Sequence, residues 1–169
     1  MKNILLVCTG NTCRSSMAEG MLKYILQDYT YHDVNVKSAG TSVFMNQPAN
    51  EKAVTIMEEV GIDISRHKSQ PLNDTLISQA DIILTMTYAH KVNVQHSFPH
   101  ATEKIFTLKE HLTYLLGEKG TFQDLDDSLD IFQWDITDPY GKNLEEYRKT
   151  AQEIKTVLER IIELTFKQR

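Results

Sequence analysis

NILLVCTGNTCRSSMAEGMLKYILQ, residues 3–27, holds three kinds of chain in direct succession. Asn3 to Cys8, with its run Ile4, Leu5, Leu6 and Val7, is short, continuous and apolar, the pattern of a strand buried on both faces of a parallel sheet. Met17, Ala18, Met21, Leu22, Ile25 and Leu26 recur at helical spacing and predict a helix from about Ser15 to Gln27. Between them lies a short turn that contains a glycine, an asparagine and Cys13, the second of the two cysteines in the chain.

Outward from this stretch the alternation continues. Val34 to Ser38 reads as a second strand, ended by Ala39 and Gly40. TSVFMNQPAN, residues 41–50, sets turn residues around two exposed-looking hydrophobes. Ala53, Val54, Ile56, Met57 and Val60 then pattern a helix that Gly61 stops at its C′ position. A loop through Arg66, His67 and Lys68 and a short helix near Asp74 to Gln79 lead into a third strand, Asp81 to Met86. Lys104 to Leu108 is a candidate fourth strand. Ala151, Ile154, Val157, Leu158, Ile161 and Ile162 give the last helix, roughly Leu144 to Phe166, an apolar stripe. Alternating strands and helices predict an α/β sandwich with a mainly parallel sheet and a ligand site at the carboxyl ends of its strands. The first loop sits at such an end. The region 117–143, with acids at 118, 124, 126, 127, 130, 135 and 138, reads mostly as a long surface loop.

At 169 residues, 41% hydrophobic and 24% charged, the chain is expected to form one domain over residues 1–169. A formal net charge of −5 argues against broad binding to nucleic acid or acidic membranes, which need a positive field. Small anions and other proteins are the expected partners. The apolar run Ile4 to Cys8 is too short for a signal-peptide core, and no stretch approaches the roughly 20 apolar residues of a membrane span. The expected location is therefore the cytoplasm, where the two cysteines matter for reactivity rather than as a staple.

If the strand ends at Cys8 and the helix begins near Ser15, the backbone N–H groups from Thr9 to Ser15 can curl around one tetrahedral oxyanion. Gly10 can supply a backbone angle that other residues resist, and Asn11 can adopt a left-handed conformation and hold the curl. Arg14 adds a planar fork for two phosphate oxygens. Cys8 lies at the bottom, where helix dipole and guanidinium favour a thiolate nucleophile, and Ser15 can donate its hydroxyl to the sulfur. The turn lacks the lysine of a Walker loop and offers a soft nucleophile instead. Spacing alone also permits a buried cysteine beside a solvated arginine; the flanking strand and helix, Gly10, Asn11 and Ser15 favour the nucleophile. A phosphoenzyme route needs an acid that later serves as a base. Asp138, stiffened by Pro139 and followed by Tyr140, is the candidate, although Asp-Pro-Tyr-Gly is also good turn chemistry.

These residues resemble the low-molecular-weight protein phosphatases over nearly the whole chain. CTGNTCRS at 8–15 looks like their phosphate loop, DPYG at 138–141 like their acid loop, and SAGT at 38–41 like the end of their second strand. The resemblance implies a three-layer sandwich around a four-stranded parallel sheet, no metal or other cofactor, and a cysteinyl-phosphate intermediate. It makes Cys8 the nucleophile, Arg14 the phosphate clamp, Ser15 the thiolate stabiliser and Asp138 the general acid. The loop Thr9, Gly10, Asn11, Thr12, Cys13, Arg14 and Ser15 becomes the phosphate cradle, and Asn11, Ser38 and His67 match the supporting hydrogen bonds. A solvated loop histidine is the plain alternative for His67. Cys13 matches the cysteine that pairs reversibly with the nucleophile, a bond that would switch activity off under oxidation.

Within the resemblance, tyrosine-specific relatives usually carry isoleucine where Thr12 stands, whereas bacterial protein-arginine phosphatases carry threonine. This favours phosphoarginine, with simple packing of Thr12 as the alternative. Phe44 and Tyr140 are the expected walls of the specificity cleft. Ser16 departs from the proline common at the first helical turn. The stretch 117–136 is longer than bacterial relatives require, so its acids with Phe122, Phe132 and Trp134 are candidates to cover the cleft or recruit a partner. Phosphorylated proteins are the implied substrates, inorganic phosphate the product, and a monomer the implied form. Two rivals remain. One is arsenate reductase, whose thioredoxin-coupled members relay a disulfide to cysteines outside the loop. The other is a non-catalytic redox- or anion-sensing module built on Cys8 and Cys13.

Overall fold

The computed structural model describes residues 2–27, 33–117 and 131–166. Strands β1 (Asn3–Cys8), β2 (Asn35–Gly40), β3 (Ile82–Thr85) and β4 (Ile105–Thr107) form one four-stranded sheet in the order β2-β1-β3-β4. All three pairings are parallel, as the uninterrupted apolar run of β1 implies. Leu5 and Val7 face one core with Ile77, Ile83, Val94 and Ile105; Ile4, Leu6 and Cys8 face the other with Met17, Leu22, Ile154 and Leu158. Helices α1 (Arg14–Gln27), α2 (Glu51–Glu59) and α6 (Leu144–Phe166) cover the second face, and α3 (Asp74–Gln79) and α4 (Tyr88–Ser97) contribute to the first. The fold is the expected α/β sandwich.

The order 2-1-3-4 places a topological switch between β1 and β3. The connection from β1 runs through α1 on one face and the connection from β3 through α4 on the other, which opens a crevice at the carboxyl ends of these two strands. The candidate loop and the start of α4 both border it.

Helix ends follow their caps. Asn50 accepts from the Lys52 N–H, and α2 stops in a Schellman turn, in which Gly61 at φ 78° and Ile62 donate to Glu58 and Met57. Helix α5 (Leu108–Leu115) starts on a capping box formed by Thr107 and Glu110. Several boundaries differ from the sequence reading: α1 begins at Arg14, β2 reaches Gly40, and α4 and α5 were not anticipated. The expected loop 117–143 is not loop throughout, because Ile131–Trp134 makes a 3₁₀ turn and Trp134 and Ile136 are buried. Trp134 therefore offers little surface to cover a cleft, while Phe122 and most of the acids fall outside the described residues, as does the Phe132 side chain.

Burial holds two histidines neutral. His90 and His111 both have their pKa lowered to about 4 from an ordinary 6.5, in each case chiefly by desolvation, and His111 Nδ1 lacks a hydrogen-bond partner. Unfolding returns both rings to water, so between pH 6.5 and 4 the unfolded chain binds more protons. Their contribution is whole above pH 6.5 and is lost as pH falls toward 4. Melting temperature should therefore drop across that window, and His111→Phe, which keeps the ring packing, should flatten the slope. An unchanged slope would assign the acid sensitivity to other groups.

Candidate active site

Asn11 anchors the loop between β1 and α1. It is fully buried, its φ of 54° is left-handed, and among the described residues it is the one non-glycine with positive φ. The left-handed position is therefore Asn11 rather than Gly10, whose own conformation needs no glycine. Gln70 N–H donates to Asn11 Oδ1 at 3.0 Å, and this backbone donor fixes which end of the amide is oxygen. The amide nitrogen consequently donates to Ser15 Oγ at 2.8 Å and Ser38 Oγ at 2.7 Å. Ser38 Oγ in turn donates to Glu19 Oε2. Ser15, already accepting from Asn11, is left to aim its hydroxyl proton at Cys8 Sγ, 3.0 Å away. The Asn11 N–H reaches the same sulfur at 3.3 Å.

The expected residues thus converge. His67 Nε2 lies 2.7 Å from the Asn11 carbonyl, so His67 belongs to the network rather than to solvent. Arg14 lies buried along the first turn of α1, with Nη1 donating to the Ile136 carbonyl at 3.2 Å and Nη2 to Asp138 Oδ2 at 2.8 Å. Asp138 Oδ1 accepts from the Tyr140 N–H, and about half of the Asp138 side chain faces water. Cys13 and Cys8 are both buried free thiols. Cys13 Sγ meets Tyr147 Oη at 3.4 Å, and burial pushes the Cys13 thiol up against the lowering effect of that bond. Ser16 bonds the Cys13 carbonyl through Oγ, a local tie in place of the common proline. Phe44 is 96% exposed and Tyr140, two residues after Asp138, 73%.

Several contributors were not read from the sequence. Glu19 could have been, since it stands four residues after Ser15 and shares its helix face. Gln70 and His90 carry no local signal. His90 Nε2 bonds Thr9 Oγ1 at 2.7 Å from the far side of the crevice. Asp135, expected to be one of many solvated acids, accepts from Tyr88 N–H at the start of α4. A groove of about 820 Å³ among α1, α2 and α6, lined by Met21, Ile25, Ile56 and Val60, lies apart from this chemistry. No described helix is long and apolar enough to cross a membrane.

The loop's outer wall is Gly40. A Cβ there would stand 2.4 Å from the Thr9 carbonyl oxygen and 3.1 Å from the Asn11 nitrogen, and its chain neighbours Thr41 and Ser42 donate to the Cys8 and Thr9 carbonyls. Gly40→Ala should therefore push the loop out of shape. A loss of about 1–3 kcal/mol is expected in denaturant melts, with most activity gone; wild-type stability and turnover would show that the loop can yield.

Comparison with known proteins accords with this geometry. The family model described as low molecular weight phosphotyrosine protein phosphatase matches residues 3–168. A protein-arginine-phosphatase of Bacillus subtilis (strain 168) is 36% identical over 159 residues, covering 94% of this chain and 93% of that one. An arsenate reductase of Staphylococcus aureus (strain Newman) is 35% identical over 158 residues, with 94% of each covered. Among solved structures, the YwlE arginine phosphatase, as a cysteine-to-serine mutant with a phosphorylated active site serine, superposes with a TM-score of 0.82. It is 34% identical and covers 99% of this chain and 97% of its own. The chain belongs to the low molecular weight protein phosphatase family.

Proposed function

We propose that this phosphatase works through a cysteinyl-phosphate on Cys8 and that its substrates are phosphoarginine side chains of proteins. The observation that carries the mechanism is the oriented chain from Glu19 through Ser38, Asn11 and Ser15 to the Cys8 sulfur. It aims two donors at the atom that must carry negative charge before attack and again on departure. The solved relative with a phosphorylated serine in place of its cysteine supports the same assignment.

In this reading the loop N–H groups and Arg14 hold the phosphoryl oxygens, and Cys8 attacks phosphorus as the P–N bond to the guanidine breaks. Asp138 gives its proton to the leaving nitrogen. Its carboxylate then takes a proton from water, which attacks the phosphocysteine, and phosphate and thiolate depart. An entering phosphoryl group competes with Asp138 for the Nη2 edge of Arg14, so substrate binding frees the carboxyl for proton transfer. No metal or other cofactor takes part.

Thr12 supports the arginine assignment. Its half-buried side chain lies beside Cys13 at the loop, where a small polar group suits a slender guanidinium. Phosphotyrosine is the second reading, favoured by the exposed rings of Phe44 and Tyr140 and by the family's own description. Arsenate reduction by a relay to outside cysteines finds only Cys8 and Cys13 in this chain.

The test is kcat/KM for a phosphoarginine peptide against a matched phosphotyrosine peptide, in reducing buffer without added metal. A ratio well above one is expected, and Thr12→Ile should lower it; a ratio below one would move the enzyme to phosphotyrosine. Cys8→Ser should abolish turnover while retaining oxyanion binding. Asp138→Asn should slow poor leaving groups more than good ones, and equal slowing would remove Asp138 from the acid's role.

A further inference from the structure

His90 is a buried histidine that the mechanism above leaves idle, and it reaches the loop from the opposite side of the topological switch. It stands in the first turn of α4, where Thr87 Oγ1 accepts from its backbone N–H at 3.1 Å. The ring is held at both nitrogens: Nδ1 lies 2.9 Å from Thr87 Oγ1 and Nε2 2.7 Å from Thr9 Oγ1. The Thr87 hydroxyl oxygen already accepts once, so its proton is best placed on Nδ1. The neutral ring then carries its own proton on Nε2 and donates it to Thr9. This arrangement leaves the one unassigned hydroxyl proton on the exposed Thr9, whereas the other tautomer leaves it on the less exposed Thr87. The charged neighbours of the ring are Arg14 on α1, which favours the neutral form, and Asp138 on the acid segment, which opposes it; burial outweighs both. The adjacent Lys91 is taken up by Glu110.

A threonine hydroxyl that accepts from His90 has one proton left to give. Thr9 follows Cys8 directly in the loop and is exposed, and its neighbour His90 lies within electrostatic range of both Arg14 and Asp138. We propose that His90 is a positioning residue that fixes the Thr9 hydroxyl as a donor to an oxygen of the phosphoryl group held in the loop. The proposal rests on the phosphatase reading for its part in turnover, and adds a side-chain donor to a cradle otherwise made of backbone N–H groups and Arg14. Held from behind, the donor needs no reorganisation when charge builds on the phosphoryl oxygens.

The test compares Thr9→Val, Thr9→Ser, His90→Leu, His90→Gln and the Thr9→Val/His90→Leu double variant. Orthovanadate affinity by calorimetry and kcat and KM on p-nitrophenyl phosphate are measured for each. Removing a donor to a charged oxygen should weaken vanadate binding and lower kcat by about tenfold to a hundredfold. The double variant should lose no more than the worse single one, because both act through one hydroxyl. His90→Gln, which restores an N–H donor near the Nε2 position, and Thr9→Ser should recover most of the loss. Additive losses, no recovery with glutamine, or wild-type vanadate affinity in Thr9→Val would overturn the proposal. Thr9 is exposed, so its variants decide the matter even if His90→Leu fails to fold. A wild-type chain without turnover would defeat the phosphatase reading alone, since the vanadate series reads the Thr9 donor without any hydrolysis.

Discussion

One buried amide organises the site. Asn11 has no exposed surface, yet each of its polar atoms is engaged: carbonyl to His67, Oδ1 to Gln70, Nδ2 to two serines, N–H to the Cys8 sulfur. A buried polar group left without a partner costs about 1–3 kcal/mol, so these bonds hold together as a set. The orientation of the amide, and with it the donors given to Ser15 and Ser38, follows from the Gln70 backbone N–H, which can only donate. Two strands, a helix and the 62–72 loop are thereby tied to one point, and the loop's curvature is over-determined.

The sheet order does the rest. With β1 central and α1 and α4 on opposite faces, the crevice beyond β1 and β3 is bordered by segments far apart in sequence. The acid-bearing segment is stitched to this framework before it reaches Asp138: Ile136 N–H bonds the Met86 carbonyl, Arg14 bonds the Ile136 carbonyl, and Thr150 on α6 bonds Thr137. Asp138 is thus partly exposed on a backbone that is firmly held, a state that suits the acid's role proposed for it above.

Much of this was legible because it is local. Cys8, Asn11, Arg14 and Ser15 fall within one turn, and the apolar run before them and the helical period after them declare the strand and the helix. Asp138 was legible through Pro139. The helix α4 was not, because its buried residues are His90, Lys91 and Val94, which make no apolar stripe. The start of α5 was hidden by Leu108, read as the end of a strand, while its polar face buries Glu110 and His111. His90 and Gln70 meet the loop across 81 and 59 residues of chain, contacts that only the completed topology makes. Substrate choice is least legible of all, since relatives of 36% and 35% identity carry different activities.

The side chains proposed above to choose the substrate stand apart from the hub. Thr12, Phe44 and Tyr140 form no side-chain bond with Asn11, Ser15, Ser38 or His67, so they can be exchanged without disturbing the hub. A change at Asn11 propagates through five partners, whereas a side-chain change at Thr12, Phe44 or Tyr140 breaks none of those bonds. On the reading proposed here, the choice of substrate can therefore change by single substitutions at these three positions while the hub stays intact.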